Sequence, residues 1–260
     1  MKILKIVVIL FSFLIGFYAI KLANQSFSKT KDESILVVGT SPDYSPYEYI
    51  DVKTKNIVGF DIDLIEEVAR RIGKKIIIIG MPFSSLIVSL FSGSIDVIAS
   101  AISPTSRRKH AVLFSESYLT GDPLVIVSKV SRGIFHNVKD LRDKQVVVNT
   151  GYVADTYMTN QEGMSSKNLV RLESPAKALM ALKSGSVDAW ICAESSAKAF
   201  LEKITDKNQF ILTPLVGTDD NYGLVVHKKN NKLVDQINQA IDSMHKDGTL
   251  TRLKEKWKLS

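Results

Sequence analysis

Short apolar runs alternate with amphipathic stretches along most of this chain. Residues 35–39, 75–79 and 95–99 are dominated by aliphatic side chains and end at Gly or a polar turn, a pattern that predicts buried strands. Between the first two, a helical pattern runs through Arg71, with Leu64, Val68 and the following Ile72 on one face. Asp61 or Asp63 is placed to cap that helix and Gly73 to end it. Residues 83–91 read as a shorter helix with Leu86, Leu90 and Phe91 inward, stopped at Gly93. A second series follows: strand 145–148, helices 153–160 and 174–183, strand 187–192, helix 196–204 and a strand near 210–212. Residues 123–128 and 222–227 are extended and apolar. Helices 233–245 and 250–257 come last, separated by Asp247 and Gly248. Strand and helix in alternation predict an α/β fold, whose binding loops lie beyond the carboxyl ends of the strands.

The first residues follow a different pattern. Lys2 and Lys5 precede a continuous apolar segment, 6–20, the layout of a secretory signal. Residues 1–23 are therefore expected to be a signal peptide, or an uncleaved anchor, since no clear small-x-small cleavage pattern follows. Residues 24–34 would be a polar leader, and in either case the body of the protein is exported. The formal charge of +7 falls to +4 without Lys2, Lys5 and Lys21. With no compact basic and aromatic patch beside it, nucleic acid is not an expected partner. Cys192 is the single cysteine, so no intrachain disulfide can form, and its apolar run predicts a buried, inert thiol. His110, His136, His227 and His245 are scattered, so neither a metal site nor a cofactor is expected.

The stretch 100–108 carries the most chemistry. An apolar strand stops, and Ser100, Ala101, Ser103 and Thr105 lead to the pair Arg107 and Arg108. Hydroxyls and backbone N–H groups can donate to a small carboxylate, and a planar guanidinium can grip both of its oxygens. A solvated basic turn before a helix is the other reading of this stretch alone. Residues 40–48, rich in Pro and Tyr, lie at another strand end and offer an aromatic platform.

Together these residues resemble the polar-amino-acid-binding proteins of ABC importers, solute-binding protein family 3. The resemblance rests on Val38, Gly39 and Thr40 with Tyr44, Pro46 and Tyr47; on the run from Gly59 to Leu64; and on Phe83 with Leu86, Leu90, Gly93 and Asp96. Thr105, Arg108, Ser115 and Tyr118 extend it, and Gly185, Asp188, Tyr222, Gly223, Asp247 and Gly248 carry it to the far end. It implies a two-lobed periplasmic-binding-protein fold of type II with two crossover hinge segments. Lobe 1 would be residues 35–122 and 224–260, and lobe 2 residues 123–223. A monomeric receptor that closes on its ligand and delivers it to a permease in the inner membrane is the function implied.

Site residues carry over one at a time. Arg108 matches the family's carboxylate-binding arginine, with Ser103 adding a hydroxyl and Ser100 and Ala101 mainly backbone. Thr150, Tyr152 and Val153 match the second-lobe loop whose backbone faces that carboxylate. Tyr44 and Phe83 match the two aromatic faces around a ligand side chain, with core packing as their other reading. Where the family has an Asp for the ligand's ammonium this chain has Ala193, so Glu194 is expected to serve, with Asp219 and Asp220 as alternatives. Glu48 has two open readings: a guanidinium acceptor with Ser41 beside it, or a surface or structural acid. Asp43 is expected to face solvent. The pattern resembles arginine-binding members most, with lysine, ornithine, histidine or glutamine behind. A dehydratase of prephenate-like acids and a membrane-anchored amino-acid sensor are the rival functions on the same fold.

Overall fold

The computed structural model describes residues 32–218 and 220–259. The expected signal or anchor over residues 1–23, most of the leader, and Asp219 lie outside the described residues. Strand β1 (Ile35–Thr40) is followed by a small antiparallel meander of β2 (Asp43–Tyr44), β3 (Glu48–Ile50) and β4 (Ile57–Val58). Helix α1 (Phe60–Arg71) leads to β5 (Lys75–Gly80), parallel to β1. A 3-10 turn over Phe83–Ser85 precedes α2 (Leu86–Phe91), then β6 (Val97–Ile98), α3 (Ser106–Ala111) and β7 (Val112–Phe114).

Strand β8 (Leu119–Asp122) leaves this part of the chain and β9 (Leu124–Lys129) enters another. There follow β10 (Val146–Asn149), α4 (Val153–Thr159), β11 (Leu169–Leu172), α5 (Pro175–Ser184), β12 (Ala189–Ala193), α6 (Glu194–Leu201) and β13 (Phe210–Pro214). Strand β14 (Asp220–Tyr222) pairs antiparallel with β8. Strand β15 (Val225–His227) then returns, followed by α7 (Asn231–Lys246) and α8 (Thr249–Trp257). Among the described residues no helix is long and apolar enough to cross a membrane.

Two five-stranded sheets result, in the orders β5-β1-β6-β15-β7 and β11-β10-β12-β9-β13, with the β8–β14 pair as a separate ribbon. This is the two-lobed type II arrangement, and two crossings of the chain join the lobes. The central strands of each sheet are buried on both faces, which is why they read as unbroken apolar runs, while edge strand β5 leaves Ile77 and Ile79 exposed. In the first sheet Leu36 and Val38 pack with α1, α7 and α8, while Ile98 and Val225 meet Leu86 and Leu90 of α2 on the other face. In the second, Val146 and Val148 face Met158 of α4, and Val147 between them faces Leu179 and Leu182 of α5.

Two local expectations are corrected. Neither Asp61 nor Asp63 caps α1: the cap residue is Gly59, and the first helical N–H groups are taken by the turn between β2 and β3, Phe60 N by the Pro46 carbonyl (3.1 Å) and Asp61 N by the Tyr47 carbonyl (2.9 Å). The strand expected over residues 95–99 has its ladder at Val97–Ile98. Hydrogen bonds from Asp96 N to Val37 O (2.7 Å) and from Ala99 N to Gly39 O (3.0 Å) extend the pairing on either side.

Gly59 sits at φ 146°, and a Cβ there would run into the Tyr47 carbonyl. Gly59→Ala is therefore expected to destabilise the protein by about 3 kcal/mol, because it adds both a strained backbone and a backbone clash. Urea unfolding of the variant beside the wild type checks this.

Candidate functional site

The carboxyl ends of β1 and β6 from the first sheet, and of β10 and β12 from the second, converge on one cleft. Eight residues expected at the site line it: Tyr44, Phe83, Ser100, Ala101, Ser103, Arg108, Tyr152 and Val153. Asn149, Leu124, Ala154, Ile191, Cys192, Ala193, Asp220 and Tyr222 complete the wall. Ser41, Glu48, Thr150 and Glu194 are not part of the lining.

Arg108 reaches the centre of this cleft because Thr105 caps α3, its Oγ1 accepting from Arg108 N at 3.3 Å. The Thr-x-x-Arg spacing is thus the spacing of a helix cap. The guanidinium packs over Phe83, 5.4 Å from the ring centre. It donates from Nη1 to the Ser103 carbonyl (2.9 Å) and from Nη2 to the Gly151 carbonyl of the second lobe (2.8 Å). Burial pulls its pKa down to about 10, so the group stays charged at neutral pH. Arg107 beside it is exposed, as its place in the first turn of α3 dictates.

Three aromatic rings meet across the cleft. Tyr152, from the loop between β10 and α4, lies 4.5 Å from Phe83 and 5.4 Å from Tyr44, centre to centre. Its hydroxyl is 3.5 Å from Asp43 Oδ1, which also accepts from Ser41 Oγ at 3.2 Å. Asp43 is thus half-buried rather than turned to solvent, and burial raises its carboxyl to about 6.

Asp220 is the one carboxyl among the described lining residues. Its Oδ2 accepts from Ser103 Oγ at 2.7 Å, and burial raises it to about 6, offset in part by that hydrogen bond and by the charge of Arg108. Glu194 sits elsewhere, because β12 ends at Ala193 and α6 begins with Glu194. Its carboxylate pairs with Lys198 one turn on, at 2.9 Å, in a separate groove with Glu202 and Trp257. Thr150 holds its place through a backbone bond to the Leu172 carbonyl at 3.0 Å. Asn149 ends β10 and is locked by Trp190 Nε1 (3.2 Å) and the Leu172 carbonyl (3.2 Å).

Glu48 lies behind the site, not in it. It is buried and accepts from Ser100 Oγ at 2.9 Å, while Ser100 Oγ in turn accepts from Ser41 N at 3.0 Å. Nearby Asp61 accepts from Tyr118 Oη (2.6 Å) and from Ala101 N (2.7 Å), and so holds Ala101 at φ 39°, where non-glycine residues are strained. Among the described residues, one oxygen of each carboxyl, Glu48 Oε2 and Asp61 Oδ1, has no hydrogen-bond partner. Burial pushes both carboxyls up, Asp61 to about 7 and Glu48 well above the usual range, with the neighbouring Asp61 charge adding to the Glu48 shift. Of the two readings of Glu48, the structure favours the structural acid.

Residues 36–260 match the family described as bacterial extracellular solute-binding proteins, family 3. The arginine-binding extracellular protein ArtP of Bacillus subtilis (strain 168) is 32% identical over 225 residues, covering 85% of each chain. A probable histidine-binding protein of Campylobacter jejuni is 30% identical over 253 residues, covering 95% of this chain and 94% of its own. Among solved structures, the crystal structure of a mutant of ArgBP from T. maritima superposes with a TM-score of 0.81 at 34% identity, covering 88% of this chain and 97% of that one.

The buried Glu48 makes stability depend on pH. In the unfolded chain it ionises near its ordinary value, while in the fold it holds its proton, so stability is full at low pH and falls as pH rises above about 4.5, by at most about 1.4 kcal/mol per pH unit. Glu48→Gln keeps an acceptor for Ser100 and removes this loss. Thermal melts are expected to place the variant above the wild type at pH 8, with the gap closing towards pH 4.5; an equal gap at both ends would mean that Glu48 is ionised in the fold.

Proposed function

The chain belongs to the bacterial extracellular solute-binding proteins of family 3, and on that premise we propose that it captures one L-α-amino acid between its lobes. The observation that carries this reading is the company of Arg108 and Asp220 in one small cleft with aromatic walls. A fixed guanidinium and a carboxylate side by side complement the two charges of a zwitterion. Arg108 receives the ligand carboxylate, which replaces the Gly151 carbonyl as acceptor, with Ser103 and the backbone of Ala101, Tyr152 and Val153 around it. Asp220 takes the ammonium, the role expected of Glu194.

The ligand favoured is arginine. The relatives named for arginine and histidine support a side chain of this class, and so do the aromatic faces of Tyr44 and Phe83 with Ser41 and Asp43 beyond them. Residues 35–122 and 224–260 then close as one body on residues 123–223, and the closed monomer delivers the ligand to an ABC permease. The N-terminal segment makes the receptor an exported one. A dehydratase is not the reading preferred, since the curated relatives are named as binding proteins.

A thermal-shift screen against the common amino acids and a prephenate-like acid tests this reading, because a ligand of the folded state raises the melting temperature by mass action. Arginine is expected to give the largest rise, lysine a smaller one, glutamate and the prephenate-like acid none; a rise with the last alone would move the protein to the enzyme class. Arg108→Ala should weaken arginine binding by about a hundredfold or more, as loss of a partner to a desolvated charge does.

Binding should also weaken as pH falls. Burial raises Asp220 to about 6, so below that pH it is neutral and offers no charge to the ammonium. Calorimetry at pH 8, 6.5 and 5 is expected to show the affinity falling through this range. Asp220→Asn should bind weakly and with a flat profile.

A further inference from the structure

The Tyr152 ring stands where the amino-acid reading puts the ligand side chain. The second lobe supplies it, yet its partners belong to the first: Phe83 on one side, Tyr44 on the other, and Asp43 with Ser41 at the hydroxyl end. The ring is tilted at 48° to Phe83 and meets Tyr44 edge-on at 78°, and a flat group wedged between two aromatic rings with a polar donor aimed at a carboxylate is also the description of a bound guanidinium. Arg108 fixes the loop in this position through the carbonyl of Gly151, the residue before Tyr152.

We propose that Tyr152 is an internal stand-in for the ligand side chain and the residue that sets which side chains the cleft accepts. This inference rests on the reading of the cleft as an amino-acid site. A long side chain enters only by displacing the ring, and it must then take over the ring's role against Phe83, Tyr44 and Asp43. Flat side chains that carry N–H donors (guanidinium, imidazole, carboxamide) can do so in full. An unbranched aliphatic chain restores the apolar packing alone, and it leaves the half-buried Asp43 with the Ser41 hydroxyl but without that of Tyr152. A short side chain leaves Tyr152 in place and is indifferent to it. Tyr152 thus imposes a threshold on long side chains, which the flat polar ones pass and the aliphatic ones do not.

The test is calorimetric titration of the full chain and of its Tyr152→Ala and Tyr152→Phe variants with arginine, norleucine and alanine. Removing two aromatic pairings corresponds to a change of about tenfold in the equilibrium. Tyr152→Ala is expected to bind arginine and norleucine about tenfold more tightly and to leave alanine within twofold. Tyr152→Phe keeps the ring and loses the hydroxyl, so it should show a smaller gain of the same pattern. Weakening of all three ligands in both variants would make Tyr152 an ordinary ligand contact and overturn the proposal. Unchanged affinities would overturn it too, as they would make the ring packing incidental. If neither the wild type nor a variant binds any amino acid, the amino-acid reading falls and this inference with it, whereas binding by the wild type with no length-dependent change in the variants sinks this inference alone.

Discussion

The carboxylate of Asp122 is the point at which the two lobes are tied. It ends β8, the first crossing strand, and it is buried. Four donors converge on it: Tyr47 Oη of the first lobe (3.0 Å), Tyr222 Oη of the second crossing strand (2.8 Å), and Ser195 N and Oγ of α6 in the second lobe (3.0 and 2.6 Å). A buried carboxylate is tolerated only when its lone pairs are filled, so each of these groups is held where the others need it. From there an aromatic column runs into the cleft: Tyr222 on Tyr47 (5.1 Å), Tyr47 on Tyr44 (5.5 Å), then Tyr152, Phe83 and the Arg108 guanidinium. The tie between the lobes and the side-chain packing in the site are therefore one continuous contact.

Behind the other wall of the cleft the same logic works through strain. Ala101 keeps a left-handed backbone because Asp61, fixed at the start of α1, accepts its N–H. Glu48 secures Ser100 next to it, and Ser100 secures Ser41. The loop that carries Arg108 is thus positioned by two acids that never touch the cleft. Their burial is unfavourable for the fold, and it is retained where it shapes the loop, as strain and desolvation often are at sites of recognition.

How much of this was legible in the sequence depended on how local the determinants are. The strand and helix pattern is set within a few residues and was readable, and Arg108 was singled out by its spacing from Thr105, though not the cap that Thr105 gives α3. Tyr44 and Phe83 were singled out as aromatic faces from strand ends and family spacing, whereas Tyr152 was read for its backbone and its ring in the cleft was not foreseen. What escaped is long-range. Asp220, offered by the sequence only as an alternative to Glu194, enters the cleft because β14 pairs with β8 a hundred residues earlier in the chain, while Glu194 leaves it because α6 starts one residue after β12. Gly59 rather than an acid begins α1 because carbonyls from a turn over ten residues away satisfy the helix N–H groups. The choice between the two roles of Glu48 turned on burial, which no single sequence displays.

The place of β15 has a consequence for how the chain folds. In the first sheet β15 lies between β6 and β7, and the entire second lobe intervenes before it in sequence. The second lobe is continuous from β9 to β13 and can form as soon as it is made. The first cannot: β6 and β7 have no ladder between them until residues 225–227 arrive, and α7 and α8, which cover Leu36 and Val38, arrive later still. Pairings of such sequence separation close slowly. A chain emerging amino end first therefore completes its second lobe before its first, and in that interval it shows two unpaired strand edges to any neighbour.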